Sequence, residues 1–278
     1  MRKIVIMMGA TLLAISIQAK DITMKGSDTL VILAQKWAEV YMQKNPAAKI
    51  QVTGGGSGTG FAALQNQTTD LANASRKIKA KEIEACIKAF GKRPKEVKVA
   101  LDGLSVYVNE SSAIKELTIP QLEGIFTGKI RNWKEVGGPD LPIVVVSREN
   151  SSGTYEFFKE HVLGGKDFAA SAQTMAGTAA VLQSVAKDPK AIGYGGAAYG
   201  QGARHISIKK TANDEAIEPT EENIVSGKYP IWRYLYIYVN PALDAGEVNK
   251  YLTWIKSDEG QKLVKDVGYF PLPKNLRQ

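Results

Sequence analysis

Along this chain hydrophobic and polar residues recur in one unit: a short apolar run, a polar turn rich in Gly, Ser or Thr, then a segment with helical spacing. Ile22 to Met24 reads as a strand, Gly26 to Thr29 as a turn, and Leu30 to Gln43 as an amphipathic helix closed by Asn45 and Pro46. Lys49 to Thr53 is a second strand. It leads through the glycine-rich Gly54 to Gly60 into a helical stretch, Phe61 to Gln67. A third copy runs from Asp70 to Asn73, through Ala74, Ser75 and Arg76, into a helix from Lys79 to Phe90. A short helix, Ile119 to Phe126, and a loop to Pro142 precede the fourth copy: strand Ile143 to Ser147, polar turn Arg148 to Thr154, helix Tyr155 to His161.

Two β-rich runs are too long for that unit. Val97 to Asn109 exceeds the usual strand of about 5–6 residues and is interrupted by Asp102 and Gly103. The second run is Ile231 to Asn240, followed by a helical pattern from Ala245 to Asp266. Two such runs bracketing a middle segment predict an α/β protein of two lobes joined by a pair of crossovers, with a cleft at the hinge. The first lobe would be discontinuous, residues 21–103 with 236–278, and the second would be 104–235. A length of 278 residues is enough for both.

The opening MRKIVIMMGATLLAISIQAKD changes the picture at one end only. Arg2 and Lys3, an apolar run from Ile4 to Ile17 and small residues ending at Ala19 read as a secretory signal peptide over 1–19. The apolar run is shorter than the roughly 18–20 residues of a membrane span. Export directs the mature chain to the periplasm. A hydrophobic content of 44% and a charged content of 23% are ordinary for a globular chain, against wholesale disorder or a polytopic membrane protein. The net charge is +8, and removing Arg2 and Lys3 leaves +6. The lysines are spread out, with no stripe of Arg and aromatics, so the positive field suits small anions better than nucleic acid.

A single cysteine, Cys86, excludes an intrachain disulfide and reads as a buried, inert thiol. The two histidines, His161 and His205, have no metal-type spacing around them, so no metal or cofactor is expected.

The turns carry the chemistry. The first N–H groups of a helix lack partners and stand at the positive end of its dipole, which makes an unblocked helix start an anion site. One Ser, Thr or Asp there is ordinarily just an N-cap; four such turns in one chain shift the reading. The glycine segment has neither GxGxxG nor a Gly-Lys-Ser or Gly-Lys-Thr ending, and its strand and helix flanks argue against a linker. Backbone approach to a small anion remains. Arg148, directly after an apolar strand, can take two oxygens of a tetrahedral oxyanion in its planar fork, and Arg76 can add charge to the same cleft.

GSDTL with Lys36 and Trp37 in the helix after it, GGGSGTG, NASRKIK, LDGLSVYVN, LEGIFTGKIRNWKEVGG and SRENSSGTYEFF follow one another here. In that order they resemble the periplasmic phosphate-binding proteins, the capture component of the Pst-type phosphate ABC importer. The resemblance implies a type II, Venus-flytrap periplasmic binding protein fold with two interlobe crossovers, inorganic phosphate as ligand, membrane permease subunits as partners and a monomeric chain. It also implies ligand contacts at the backbone of Asp28 and Thr29, at Ser57, at the Ser75–Arg76 turn, and at Arg148 with Ser152, Gly153 and Thr154. One position departs from the family pattern. Its best-described members have an aspartate after the third-turn serine to accept the proton of monohydrogen phosphate, whereas Arg76 stands here. Asp28 is then the expected acceptor, and it would set phosphate apart from sulfate, which brings no proton.

Two other classes share some of these features. A serine hydrolase finds Ser112 and Lys115 at SxxK spacing, but Ser207 and Lys210 repeat that spacing, and KTG, SDN and GxSxG are absent, so an enzyme is not expected. A binder of another tetrahedral oxyanion, such as sulfate or molybdate, or a sensor or adhesin on the same lobes, is the alternative.

Overall fold

The computed structural model describes residues 21–199 and 202–277, so the leader read over 1–19 lies outside the described residues. The chain opens with β1 (Ile22–Gly26), α1 (Asp28–Lys44), β2 (Ile50–Thr53), α2 (Ser57–Gln65), β3 (Leu71–Ala74) and α3 (Ala80–Phe90). The long β4 (Lys95–Val108) leads to β5 (Glu116–Thr118), α4 (Ile119–Phe126), β6 (Val144–Arg148), α5 (Gly153–His161), β7 (Gln173–Met175), α6 (Thr178–Lys187) and β8 (Ala191–Gly196). Then come β9 (Arg204–His205), β10 (Ser207–Lys209), α7 (Glu221–Val225), β11 (Trp232–Val239), α8 (Gly246–Lys256) and α9 (Asp258–Val267).

The strands line up in the order β2-β1-β3-β11-β4-β8-β6-β7. β1 runs parallel to β2 and β3, and β6 runs parallel to β7 and β8. Between these parallel blocks the two long strands lie antiparallel to each other, β11 also bonding β3 and β4 also bonding β8. The two β-rich runs therefore do what their length suggested and pass from one α/β half to the other.

Each half has its own core. Ile22, Leu33, Trp37, Ile50, Val99, Leu235, Ile237 and Tyr251 belong to one. Val106, Leu122, Phe126, Phe158, Ile192, Tyr194 and Ile231 belong to the other, which Leu272 of the tail also joins. In α1 the buried residues Leu30, Leu33, Ala34, Trp37, Ala38 and Tyr41 fall at the three- and four-residue spacing of one helix face. The Trp37 indole N–H, buried with the ring, donates to the Gly260 carbonyl at 2.8 Å and ties α1 to α9.

The pattern from Ala245 to Asp266, expected as one helix, is two. Ser257 takes an extended conformation (φ −65°, ψ 166°) and its hydroxyl accepts from the Gly260 N–H at 3.2 Å, so it ends α8 and caps α9. At the polar turns the helices also begin earlier than their apolar periodicity, at Asp28, Ser57 and Gly153. That places the turn hydroxyls inside first helical turns. Cys86 is fully buried, and burial, helped by the charge of Glu82, pushes its thiol up to about 11. A thiol reagent at neutral pH should therefore leave Cys86 unmodified in the native chain and label it in denaturant; equal labelling in both would contradict its placement.

Candidate functional site

Helices α1, α2, α5 and α6 all start at the junction between the halves, and three of them start uncapped by a side chain. Ser27 precedes α1 without making a side-chain cap, while Gly56 (φ 90°) and Gly177 (φ 83°) precede α2 and α6 with no side chain to offer. No side-chain cap occupies their first N–H groups, and in α2 the Gly58 N–H instead donates across the cleft to the Ser151 carbonyl at 2.9 Å. α5 differs: the Ser152 hydroxyl accepts from the Tyr155 N–H at 3.2 Å. Of the expected ligand residues, Ser152 is the one used as an ordinary N-cap.

Four hydroxyls from these turns meet in the interior. Thr154 Oγ1 lies 2.8 Å from Thr29 Oγ1 and 3.5 Å from Ser75 Oγ, and Ser75 Oγ lies 3.4 Å from Ser57 Oγ. All four residues are essentially inaccessible to solvent. Thr29 opens α1, Ser57 opens α2, Ser75 follows β3, and Thr154 reaches them from α5 in the other half. The Ser75 N–H donates to Ser57 Oγ at 3.1 Å, so the Ser57 proton is left to donate elsewhere. Gly153 makes this approach possible, because a Cβ at that position would lie 2.3 Å from Ser57 Oγ and 2.7 Å from Ser75 Oγ. The glycine run does the same from its side: a Cβ at Gly56 would meet the Ser151 carbonyl oxygen at 2.5 Å.

Beside the hydroxyls, Arg148 is buried at the end of β6. Its Nη2 donates to Asp28 Oδ2 across the cleft at 2.8 Å, and its Nη1 donates to Thr178 Oγ1 at 2.8 Å. The planar fork is filled by its neighbour, Nε to Glu149 Oε2 at 2.9 Å and Nη2 to Glu149 Oε1 at 2.7 Å. Burial opposes the charge on Arg148, but Glu149 and Asp28 outweigh it and hold the guanidinium above its usual range. Burial likewise opposes charge on Glu149, and the same fork holds that carboxyl below the usual range. The other Asp28 oxygen accepts from the Gly55 N–H at 2.8 Å, which fixes the carboxylate against the glycine turn.

Arg76 is not brought into this cluster. Glu82, in the first turn of α3, takes its guanidinium in a two-point bond at 2.7 and 2.8 Å, and the Cζ atom sits 4.9 Å from the centre of the Phe61 ring. A carboxylate six residues ahead on the adjoining helix is a nearer partner than the cleft, and the sequence reading of Arg76 as added cleft charge is corrected accordingly.

Two residues that the turns gave no reason to single out stand at the back of the cleft. Asp102 on β4 and Arg233 on β11 face each other in register, both buried, with Arg233 Nε and Nη2 on Asp102 Oδ2 at 2.9 and 2.8 Å. Burial raises the Asp102 carboxyl above its ordinary range against the pull of Arg233. A signal for the pair lies in the sequence: Arg233 is the one charged residue of the run Ile231 to Asn240, and Asp102 is the one acidic residue of the run Val97 to Asn109, whose other charge is Lys98. Among the described residues no group of three or more His, Cys, Asp or Glu is placed to hold a metal ion.

Two α/β lobes with helix starts and hydroxyls facing each other across a cleft define a solute-binding protein. The model of the PBP superfamily domain matches residues 16–259. The phosphate-binding protein PstS of Pseudomonas aeruginosa is 34% identical over 91% of this chain and 83% of its own length; that of Bacillus subtilis is 34% identical over 91% and 81%. The chain belongs to the family of PstS phosphate-binding proteins. Among solved structures, an ABC-type phosphate transport receptor from Vibrio cholerae aligns with a TM-score of 0.72 at 29% identity, covering 91% of this chain and all of that one. A Clostridium perfringens chain, described as a candidate phosphate ABC transporter substrate-binding protein with bound phosphate, aligns with a TM-score of 0.84 at 28% identity and the same coverage.

Proposed function

We propose that this protein captures inorganic phosphate between its lobes, outside the cytoplasmic membrane, and presents it to the permease subunits of an ABC importer. The observation that carries the reading is the meeting of Thr29, Ser57, Ser75 and Thr154, supplied by both halves, beside the Arg148–Asp28 bridge. Hydroxyl and helix-start donors suit a small, fully desolvated oxyanion. Asp28, Thr29, Ser57, Ser75, Arg148, Gly153 and Thr154 form the binding set in this reading, with Ser152 shaping the start of α5. The lobes are 21–103 with 236–278, and 104–235, with the tail around Leu272 leaning on the second core. Closure about β4 and β11 traps the ion, and opening releases it. The chain acts as a monomer without nucleic acid, its leader removed on export; no helix among the described residues is long and apolar enough to cross a membrane.

A melting panel of phosphate, arsenate, sulfate and molybdate tests the reading. A ligand at 100 times its dissociation constant adds about 2.7 kcal/mol, which raises the melting temperature of a chain of this size by roughly 5 °C or more. Phosphate should give that shift and sulfate should not. A larger response to sulfate or molybdate would move the protein to the other oxyanion class.

A further inference from the structure

Arg233 and Asp102 hold more than the hinge together. A buried ion pair contributes little to stability once the cost of desolvating both partners is counted, so its retention inside the two crossover strands calls for another reason. Asp102 uses one oxygen on Arg233 and the other on the Ala197 N–H at 3.1 Å, which fixes the plane of the guanidinium. From that plane Nη2 donates to Thr154 Oγ1 at 3.0 Å, reaching one of the four gathered hydroxyls. Nη1 is buried and has no hydrogen-bond partner among the described residues. Buried guanidinium N–H groups are rarely left without an acceptor. Arg148, by contrast, already holds two carboxylates and a threonine hydroxyl.

Resting on the phosphate reading above, we propose that Arg233 is a second anion-coordinating arginine of the cleft and that Asp102 is the residue that positions it. The bound oxyanion takes the Nη1 donor directly. It also takes the Thr154 proton, because Thr154 Oγ1 accepts from Arg233 and is thereby turned into a donor. The site thus has one arginine at the mouth of the second lobe, bridged to Asp28, and one on the crossover strand, present on the same strand whether the lobes are open or closed.

The test uses the mature full chain and inorganic phosphate. Arg233→Lys keeps a cation against Asp102 but removes the planar donors, and should weaken phosphate binding by at least about tenfold in calorimetry. The double variant Asp102→Asn/Arg233→Gln removes the charges together, leaves no lone buried carboxylate, and should show the same loss with a retained cooperative melt. A readout that a merely structural arginine would not move is the guanidinium itself: with 15N-labelled arginine, phosphate should shift the Arg233 side-chain resonances and slow exchange of its Nη protons. Unchanged affinity in both variants, or Arg233 resonances indifferent to phosphate that the wild-type chain demonstrably binds, would overturn the assignment. A wild-type chain that takes up no phosphate overturns the functional reading instead, and calorimetry on that protein alone separates the two failures.

Discussion

Gly153→Ala should weaken phosphate binding by about a hundredfold while leaving the unliganded chain folded and close to its wild-type melting temperature. The added methyl has nowhere to go in the closed cleft: it would stand 2.3 Å from Ser57 Oγ, 2.9 Å from Ser57 Cβ and 2.7 Å from Ser75 Oγ. Those atoms belong to α2 and to the turn after β3, on the far side of the cleft from α5. Overfilling a packed contact costs about 1–3 kcal/mol, and here the lobes can escape it by staying apart. The cost then falls on closure, and a coupling of that size corresponds to about 5- to 150-fold in affinity. Gly153 is the first residue of its helix and does not lie at positive φ, so alanine brings no backbone strain, and its helix propensity is better by up to about 1 kcal/mol. Calorimetry and a melt of the same variant decide it: an unchanged dissociation constant would mean that the ligand-bound cleft does not bring Gly153 against Ser57.

The contrast between what the sequence displayed and what it concealed follows from range. A strand, a polar turn and a helix are written in neighbouring residues, and β1–α1, β2–α2 and β6–α5 could be read directly because apolar period and turn chemistry change within a few positions. Even the crossovers were legible, since no single lobe needs strands as long as β4 and β11. Partner choice was not. Arg76 follows a strand as Arg148 does, and only the placement of Glu82 on α3 draws one away from the cleft while Asp28 draws the other into it. Asp102 and Arg233 are 131 positions apart, and their pairing depends on the register between two strands, which no local pattern encodes. Ser257 sat inside an unbroken helical periodicity. The break there brings Gly260 against the carbonyl oxygens of Trp254 and Ile255, where a Cβ would lie 2.4 Å from each, a close approach that no local periodicity displays.

Asp28→Asn should collapse the preference for phosphate over sulfate, by at least about a hundredfold in the ratio of dissociation constants. A site built to hydrogen-bond a ligand's hydroxyl rejects an analogue lacking it by about 10⁴–10⁵, and at neutral pH monohydrogen phosphate carries such a proton where sulfate carries none. Asp28 places an acceptor-only group at the edge of the hydroxyl cluster, next to Thr29 in the first turn of α1. Its orientation is fixed at both oxygens, Oδ1 by the Gly55 N–H and Oδ2 by Arg148 Nη2, so it cannot swing away to accommodate a sulfate oxygen. Asparagine has the same shape but only one acceptor oxygen: kept on Gly55, it turns its NH2 toward Arg148 and loses that bond; reversed, it loses Gly55. In either orientation a donor replaces an acceptor, so the variant should lose both the repulsion expected to exclude sulfate and the bond expected to select phosphate. Arg148 keeps Glu149 and Thr178, so the change should register in selectivity more than in folding. Titrating both anions into wild type and variant gives the ratio directly. If the variant still rejected sulfate as the wild type does, the proton of phosphate would have to be received by another group, and the buried carboxylate of Asp102 would be the next to replace.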